Sequence, residues 1–323
     1  MDAVKKWSYK IFETPTLITV IAGCSLVLWQ QWTGSLSPSV QITFFILFIF
    51  LTGIPHGAID HLVEKETAKR QQKSFNLPFF LLKYLLTMVF YSLMWYIFPS
   101  VSLLFFLFMS AGHFGETDIE KAPPTILWNI TRFSFGCFVL LWLLLFHASE
   151  TTPVLERISQ SNTSVMIIWS AAVQFTTPLL ISLALFTVAL FYLANKKNAI
   201  HFETSRFHRL CLILILTYFL PLLPAFALYF GGWHALCSFK TIHDYLIDNK
   251  EGSKNTLQPH SIMAIWTKTL LFTVLALMIL CFAVWYWLHF LQTWDPLPLL
   301  FIFLSLITLP HLNVMHRMSK MSN

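Results

Sequence analysis

Charged side chains are scarce in this sequence: Asp, Glu, Lys and Arg make up 11% of the 323 residues, whereas hydrophobic residues make up 56%. Soluble domains carry about 25% charged residues, so the composition excludes one large soluble core. Apolar stretches of about 20 residues, each long enough to span a bilayer, recur along the whole chain. We therefore expect an all-α, polytopic integral membrane helical bundle that forms a single domain over residues 1–323.

Closely spaced cysteines are also lacking. The five cysteines lie within or beside apolar segments, which favours small buried residues over a disulfide framework or a thiolate metal site. A removable signal peptide is not expected, because the first apolar stretch lies far from a small-residue cleavage site and many others follow. The net charge of +6 is typical of the lysine and arginine excess of cytoplasmic loops, so no nucleic-acid partner is expected. The cysteines are Cys24, Cys137, Cys211, Cys237 and Cys281.

The apolar stretches predict about ten transmembrane helices, with eight or nine as alternatives. The count depends on 207–247, where "LPLLP" at 220–224 either interrupts one crossing or turns a hairpin of two. The hairpin places nearly every lysine and arginine on or near the cytoplasmic half, as is usual in membrane proteins, and leaves Arg157 as the exception. We therefore predict cytoplasmic termini, with 1–15 as an N-terminal segment and 317–323 as a tail. The predicted spans are 16–32, 39–59, 77–98, 101–116, 127–147, 166–194, 207–221, 222–247, 267–290 and 296–316.

Histidines occur where four apolar runs approach the cytoplasmic surface of the membrane. Ionisable side chains at membrane depth are costly and tend to face the bundle interior with partners. Histidines from four separate helices at a matching depth favour one shared metal or cofactor site over independent structural histidines. The runs are "GIPHGAIDH" (His56, His61), "MSAGHFGETD" (His113), "YFGGWHALCSFKTIH" (His234, His243) and "TLPHLNVMH" (His311, His316).

Helical spacing separates these candidates. Asp60 follows His56 by one turn on the same face, where its carboxylate could orient a metal-binding ring. His61 points about 140° away from His56. His243 lies nearly opposite His234 on a straight helix, so both reach one ion only if the helix bends.

Two acidic residues follow His113. Glu116 and Asp118 are either ligands or acceptors for a ligand, or solvated residues of the loop "ETDIEKAPP". Imidazoles without paired thiolates suit iron, copper or zinc, whereas calcium and magnesium prefer more oxygen ligands. An apolar, aromatic-rich setting favours a lipid-soluble substrate and oxygen chemistry over hydrolysis.

Prolines and glycines accompany the histidines. Pro55 and Pro310 directly precede His56 and His311, where each removes a helical hydrogen bond and is expected to kink the helix. The glycines are expected to let helices approach closely or let the backbone deform near a site. They are Gly57, Gly112, Gly115, Gly231 and Gly232.

In this order and at these separations, "GIPHGAIDH", "SAGHFGETD", "YFGGWHALCSFK" and "TLPHLNVMHR" resemble motifs of the Brp/Blh family of carotene dioxygenases, over about 50–316. The resemblance implies an integral membrane enzyme with non-haem Fe(II). Such an enzyme cleaves the central 15,15′ double bond of β-carotene with O2 and gives two molecules of all-trans-retinal. It implies His56, His113 and His234 as iron ligands, tuned by an acceptor such as Asp60. It also implies the lipid bilayer of the inner membrane as the setting and a microbial rhodopsin as the partner that receives retinal.

The chain departs from the family at one position. The third motif usually carries a second histidine four residues after the first, where this chain has Ser238, a poor iron ligand. Either His311 or a displaced His243 then completes the ligand set, or the site differs from that of the family. We favour His311, because the proline-kinked "LPH" segment ends at the same inner depth.

Other functions are left open. A membrane di-iron desaturase or hydroxylase needs closely spaced HxxxH and HxxHH clusters, which this sequence lacks. A b-type haem protein would use axial histidines on facing helices, such as His56 and His113. An intramembrane-histidine transporter or channel is the third alternative. Transporters often consist of two similar halves, but here only "GIPHGAIDH" and "TLPHLNVMH" show a weak similarity.

Overall fold

The computed structural model describes residues 16–120, 122–200, 204–247, 259–290 and 297–322. Every regular element within these ranges is a helix, which confirms the predicted all-α class. The predicted cytoplasmic segment 1–15 and the last residue of the predicted tail, Asn323, lie outside the described residues.

The helices follow one another with short connections. A lipid environment offers the backbone no hydrogen-bond partners, so apolar segments satisfy their amides internally as helices. In chain order they are α1 (Thr16–Thr33), α2 (Pro38–Arg70), α3 (Leu77–Ile97), α4 (Pro99–Asp118), α5 (Ile126–Phe146), α6 (Ala148–Ile158), α7 (Thr163–Gln174), α8 (Thr176–Lys197), α9 (Thr204–Phe219), α10 (Leu222–Phe226, Ala227–Ala235 and Leu236–Ile247 in succession), α11 (Pro259–Phe290) and α12 (Leu297–Ser322).

Within the described ranges, seven helices are long and apolar enough to cross a bilayer, namely α2, α3, α5, α8, α10, α11 and α12. The prediction of about ten crossings is therefore not confirmed. The predicted spans 16–32, 101–116 and 207–221 do form helices, α1, α4 and α9, but these fall outside the set of seven.

Prolines account for two helix breaks in long apolar regions. The single span predicted over 166–194 is wrong, because the chain turns at Phe175 between α7 and α8. Pro178 has no amide to donate to the carbonyl of Gln174, four residues earlier, and its ring crowds that carbonyl, which favours a helix end before it. The break predicted at "LPLLP" is present, since α9 ends at Phe219 and Pro221 is extended (φ −61°, ψ 161°) before α10 begins.

The described chain divides into two compact units. The first unit contains α1, α2, α9, α10, the part of α11 up to Leu277 and the end of α12 from Val314. Its helix α1 buries Thr16, Thr19, Gly23 and Leu26, which recur every three or four residues and therefore form one face.

The second unit contains α3 to α8, the remainder of α11 and α12 up to Asn313. Its closest packing joins α4 and α5 backbone to backbone. A Cβ at Gly136 would lie 1.7 Å from the carbonyl oxygen of Ala111, so only glycine fits there. Trp95 on α3 donates its indole hydrogen to Ser305 Oγ on α12 at 2.7 Å, which ties α12 to this unit.

Candidate metal-binding histidines

The four histidines that we favoured as ligands are all buried. Their relative exposures are 5% for His56, 5% for His113, 0% for His234 and 4% for His311. Burial of a polar ring is costly unless its nitrogens have partners. These side chains therefore lie where a ligand role is chemically reasonable, and not in solvated loops.

In the first unit, His56 of α2 and His234 of α10 form a pair. Their ring centres are 5.5 Å apart and their planes meet at 86°. Phe230 stacks on the His234 ring at 5.7 Å and 13° and meets the His56 ring edge-on at 5.8 Å and 74°. One aromatic side chain therefore packs against both imidazoles and restricts their rotation.

The hydrogen bond of His56 indicates which of its ring nitrogens would bind a metal. Its Nδ1 contacts the carbonyl oxygen of Gly53, one turn earlier on α2. Because a carbonyl oxygen can only accept, Nδ1 must carry the hydrogen, and the lone pair is then on Nε2. His56 thus presents Nε2 as a neutral ligand atom in a tautomer that the backbone selects.

Both helices of this pair contain π-helical turns next to the histidine. In α2 the π turn covers Ile49–Gly53, directly before the segment with His56, and in α10 it covers Ala227–Ala235, which includes His234. Such turns are rare and occur frequently at functional sites. The two turns touch each other, because Thr52 Oγ1 lies 2.8 Å from the carbonyl oxygen of Gly231.

Pro55 has a visible effect on the backbone of α2. It has no amide hydrogen to donate to the carbonyl of Leu51, four residues earlier. That carbonyl instead accepts the indole N–H of Trp266 at 3.1 Å. The helical bond that Pro55 removes is therefore replaced by one from α11.

In the second unit, His113 of α4 and His311 of α12 form a similar pair. Their ring centres are 5.1 Å apart and their planes meet at 82°. Arg132 of α5 holds the chain after His113, since its guanidinium donates to the carbonyls of Ile119 at 3.2 Å and Ala122 at 2.6 Å. His311 therefore lies beside the predicted ligand His113. Its own role as a ligand stays a prediction.

The ring spacing within each pair is close to that of two rings that bind one ion. A metal about 2.1 Å from an imidazole nitrogen lies about 3.3 Å from the centre of that ring. Two such ligands, at an angle between a right angle and a tetrahedral one, would have ring centres about 4.7 to 5.4 Å apart. The observed 5.5 Å and 5.1 Å are close to this range. Neutral imidazoles without thiolates fit iron, and equally copper or zinc.

The remaining candidate residues, His243, Ser238 and Asp60, have different surroundings. His243 is 2% exposed, and its Nδ1 lies 3.2 Å from the carboxylate of Asp244, a largely exposed side chain. Ser238 is 1% exposed and lies one turn after His234 in the α-helical end of α10. Asp60 is 2% exposed and follows Ile59, an irregular residue that separates it from the helical segment of His56.

The loop interpretation of Glu116 and Asp118 is wrong, because α4 continues to Asp118 and both residues lie in its last turn. Glu116 is exposed and Asp118 is half-buried. His316 is exposed, and the ring of His61 packs on Phe272 at 4.5 Å.

Sequence reasoning did not identify two threonines that contact the π turn of His234. One is Thr52, and the other is Thr19 of α1, whose hydroxyl lies 2.6 Å from the carbonyl oxygen of Gly232. Neither threonine belongs to one of the histidine motifs, and only the small-residue spacing of Thr19 and Gly23 on α1 could have pointed to one of them. The close approach predicted at Gly231 and Gly232 is present, since a Cβ on them would lie 2.9 Å from Phe48 and 2.5 Å from Thr19.

Comparison with known proteins points to one activity. Residues 47–319 match the model of a family described as beta-carotene 15,15'-dioxygenase. A protein of an uncultured marine bacterium 66A03, named Beta-carotene 15,15'-dioxygenase, is 30% identical over 196 residues, which cover 61% of this chain and 67% of the relative. No solved structure matches this chain significantly. The matched region contains all four histidine motifs and begins after α1.

Proposed function

Because this chain belongs to the beta-carotene 15,15'-dioxygenase family, which consists of carotenoid-cleaving oxidoreductases, we propose that it cleaves β-carotene at the central 15,15′ double bond with O2. One carbon–carbon double bond breaks, and each oxygen atom becomes the aldehyde oxygen of one all-trans-retinal. The observation that carries the proposal is the presence of two pairs of buried, edge-to-face histidines on the family's own motifs.

We propose His56, His113, His234 and His311 as the ligands of ferrous iron. The support is their burial, the ring spacing within each pair and the tautomer of His56. When bound, ferrous iron supplies the redox chemistry that lets O2 react with the alkene. His311 takes the place of the ligand that the family motif would have at Ser238.

The side chains around these rings orient the ligand imidazoles and exclude water. We propose that Asp60 accepts a hydrogen bond from a ligand ring and so fixes its orientation. Phe230 restricts the rings of His56 and His234, and the burial of all these groups keeps bulk water from the reacting bond.

A hydrocarbon substrate of this size partitions into lipid, so the protein is best placed in a membrane. The helices long enough to cross a bilayer support that setting. We propose the bacterial inner membrane with both termini cytoplasmic, and a microbial rhodopsin as the acceptor of the retinal.

The test is expression in bacteria that make β-carotene. We expect the orange colour to fade while retinal accumulates, and His56→Ala or His113→Ala to lower retinal formation by at least about 100-fold at equal protein level. His316→Ala is the matched control, because His316 is an exposed histidine on α12, and it should form retinal normally. Unchanged β-carotene with well-expressed protein would contradict the proposal, and a haem absorption band in that protein would favour the haem alternative.

A further inference from the structure

Helix α1 lies outside the region that matches the family, yet its buried face reaches the π turn of α10. Gly23 packs against that helix, where an added Cβ would lie 2.8 Å from Leu228 Cδ2. Thr19, one turn earlier on the same face, is 0% exposed. A small residue every fourth position is typical of helices that approach closely in membranes.

Thr19 uses its hydroxyl in an unusual way. A threonine inside a helix commonly donates to a carbonyl three or four residues earlier in its own helix, as Thr87 does to Lys83 at 2.9 Å. Thr19 Oγ1 instead donates to the carbonyl of Gly232 on α10 at 2.6 Å. The bond joins residues 213 positions apart.

Gly232 is placed where the hydrogen-bond register of α10 changes. The amide of Leu236 would meet the carbonyl of Gly232 in an α-helix and that of Gly231 in a π-helix. It bonds to the carbonyl of Trp233 instead. A hydroxyl from another helix, that of Thr19, donates to the carbonyl of Gly232, and Thr52 Oγ1 lies near the carbonyls of both Gly231 (2.8 Å) and Phe48 of its own helix (2.5 Å).

Gly232 lies two residues before His234, within the same π-helical segment. The direction of a side chain follows from the backbone dihedrals of its own turn, so the register at Gly232 decides where the His234 imidazole points. Return of this turn to α-helical bonding would rotate His234 relative to Phe230 and His56, whose rings now pack against it.

We propose that Thr19 is a positioning residue for His234: its hydroxyl holds the carbonyl of Gly232 in the π-helical register and thereby aims the imidazole. The inference rests on the proposed function, because it takes His234 as a metal ligand. It extends the site to a helix that precedes the family-matched region.

The test measures metal affinity. Purified, detergent-solubilised protein is titrated without oxygen, with Fe(II) or with Co(II) followed by its visible absorption. Thr19→Val keeps the shape and removes the hydroxyl, so we expect a dissociation constant about 10- to 100-fold higher. Thr19→Ser keeps the donor and should bind nearly as the unchanged protein does. Thr217→Val is the matched control, since Thr217 is also 0% exposed and donates within its own helix to Leu214 at 2.7 Å.

The outcomes separate the two proposals. Unchanged metal affinity in Thr19→Val, with affinity lost in His234→Ala, overturns the positioning role alone. Unchanged affinity in His234→Ala overturns the ligand assignment and the positioning role together. If Thr19→Val is not recovered folded, Thr19→Cys supplies a weaker donor of similar size, and its affinity should lie below that of Thr19→Ser. Equal affinity in Thr19→Cys and the unchanged protein would then overturn the inference.

Discussion

Gly115→Ala tests how closely α4 must approach α5 for His113 to keep its place. A Cβ at Gly115 would lie 1.8 Å from the carbonyl oxygen of Arg132 and 2.4 Å from its carbonyl carbon. Both are backbone atoms, so no change of rotamer relieves the clash. Real Cβ contacts do not fall below 3.0 Å, so the two helices would have to separate by at least 1.2 Å.

That separation is large compared with what a metal site tolerates. His113 lies two residues before Gly115 on the same helix, and a metal–ligand distance varies by only about 0.2 Å. Misplacement of a reacting group by about 1 Å costs about 100-fold in rate, so we expect retinal formation to fall by at least this factor. Overpacking should also lower the free energy of unfolding by about 1–3 kcal/mol.

Gly112→Ala is the matched control. A Cβ at Gly112 would meet only Phe133 Cδ2, at 4.0 Å, which is an ordinary contact, and alanine favours a helix over glycine by about 0.5–1 kcal/mol. Retinal formed per mole of purified protein and the thermal unfolding midpoint are measured for both variants. Normal retinal formation in Gly115→Ala, or equal losses in the two variants, would refute the reasoning from helix separation.

Two further predictions concern the second histidine pair and its support. His311→Ala should abolish metal binding and retinal formation, whereas His243→Ala should retain both. The metal content of the purified variants is measured. The reverse result would make His243 the fourth ligand. Arg132→Met removes the donors to the carbonyls of Ile119 and Ala122 and should lower the free energy of unfolding by about 1–3 kcal/mol. An unchanged unfolding midpoint in Arg132→Met would show that these bonds do not hold the end of α4.

The departures from sequence-based expectation have local causes. The region 166–194 is apolar throughout, and its hydropathy concealed the helix end that Pro178 imposes on α7. Glu116 and Asp118 are polar and precede two prolines, which is typical of a loop, yet α4 extends to Asp118. The bond from Ile119 N–H to the carbonyl of Gly115, at 3.0 Å, keeps this last turn closed.

The helical class and the candidate histidines were determined by the sequence alone, because both follow from local chemistry. Long apolar runs in lipid must satisfy their own amides, and only helices do so within one segment. Histidines in such runs are costly enough to indicate a site, and the resemblance of their motifs to a family implied His56, His113 and His234 among them as ligands.

Only the tertiary structure decided how two of those histidines are aimed. In the π turns next to His56 and around His234, the carbonyls of Leu51 and Gly232 accept hydrogen bonds from the side chains of Trp266 and Thr19. These donors lie far from their acceptors along the chain, and no helical period connects them. A turn whose hydrogen bonds are completed by distant side chains can be recognised only after the chain has folded.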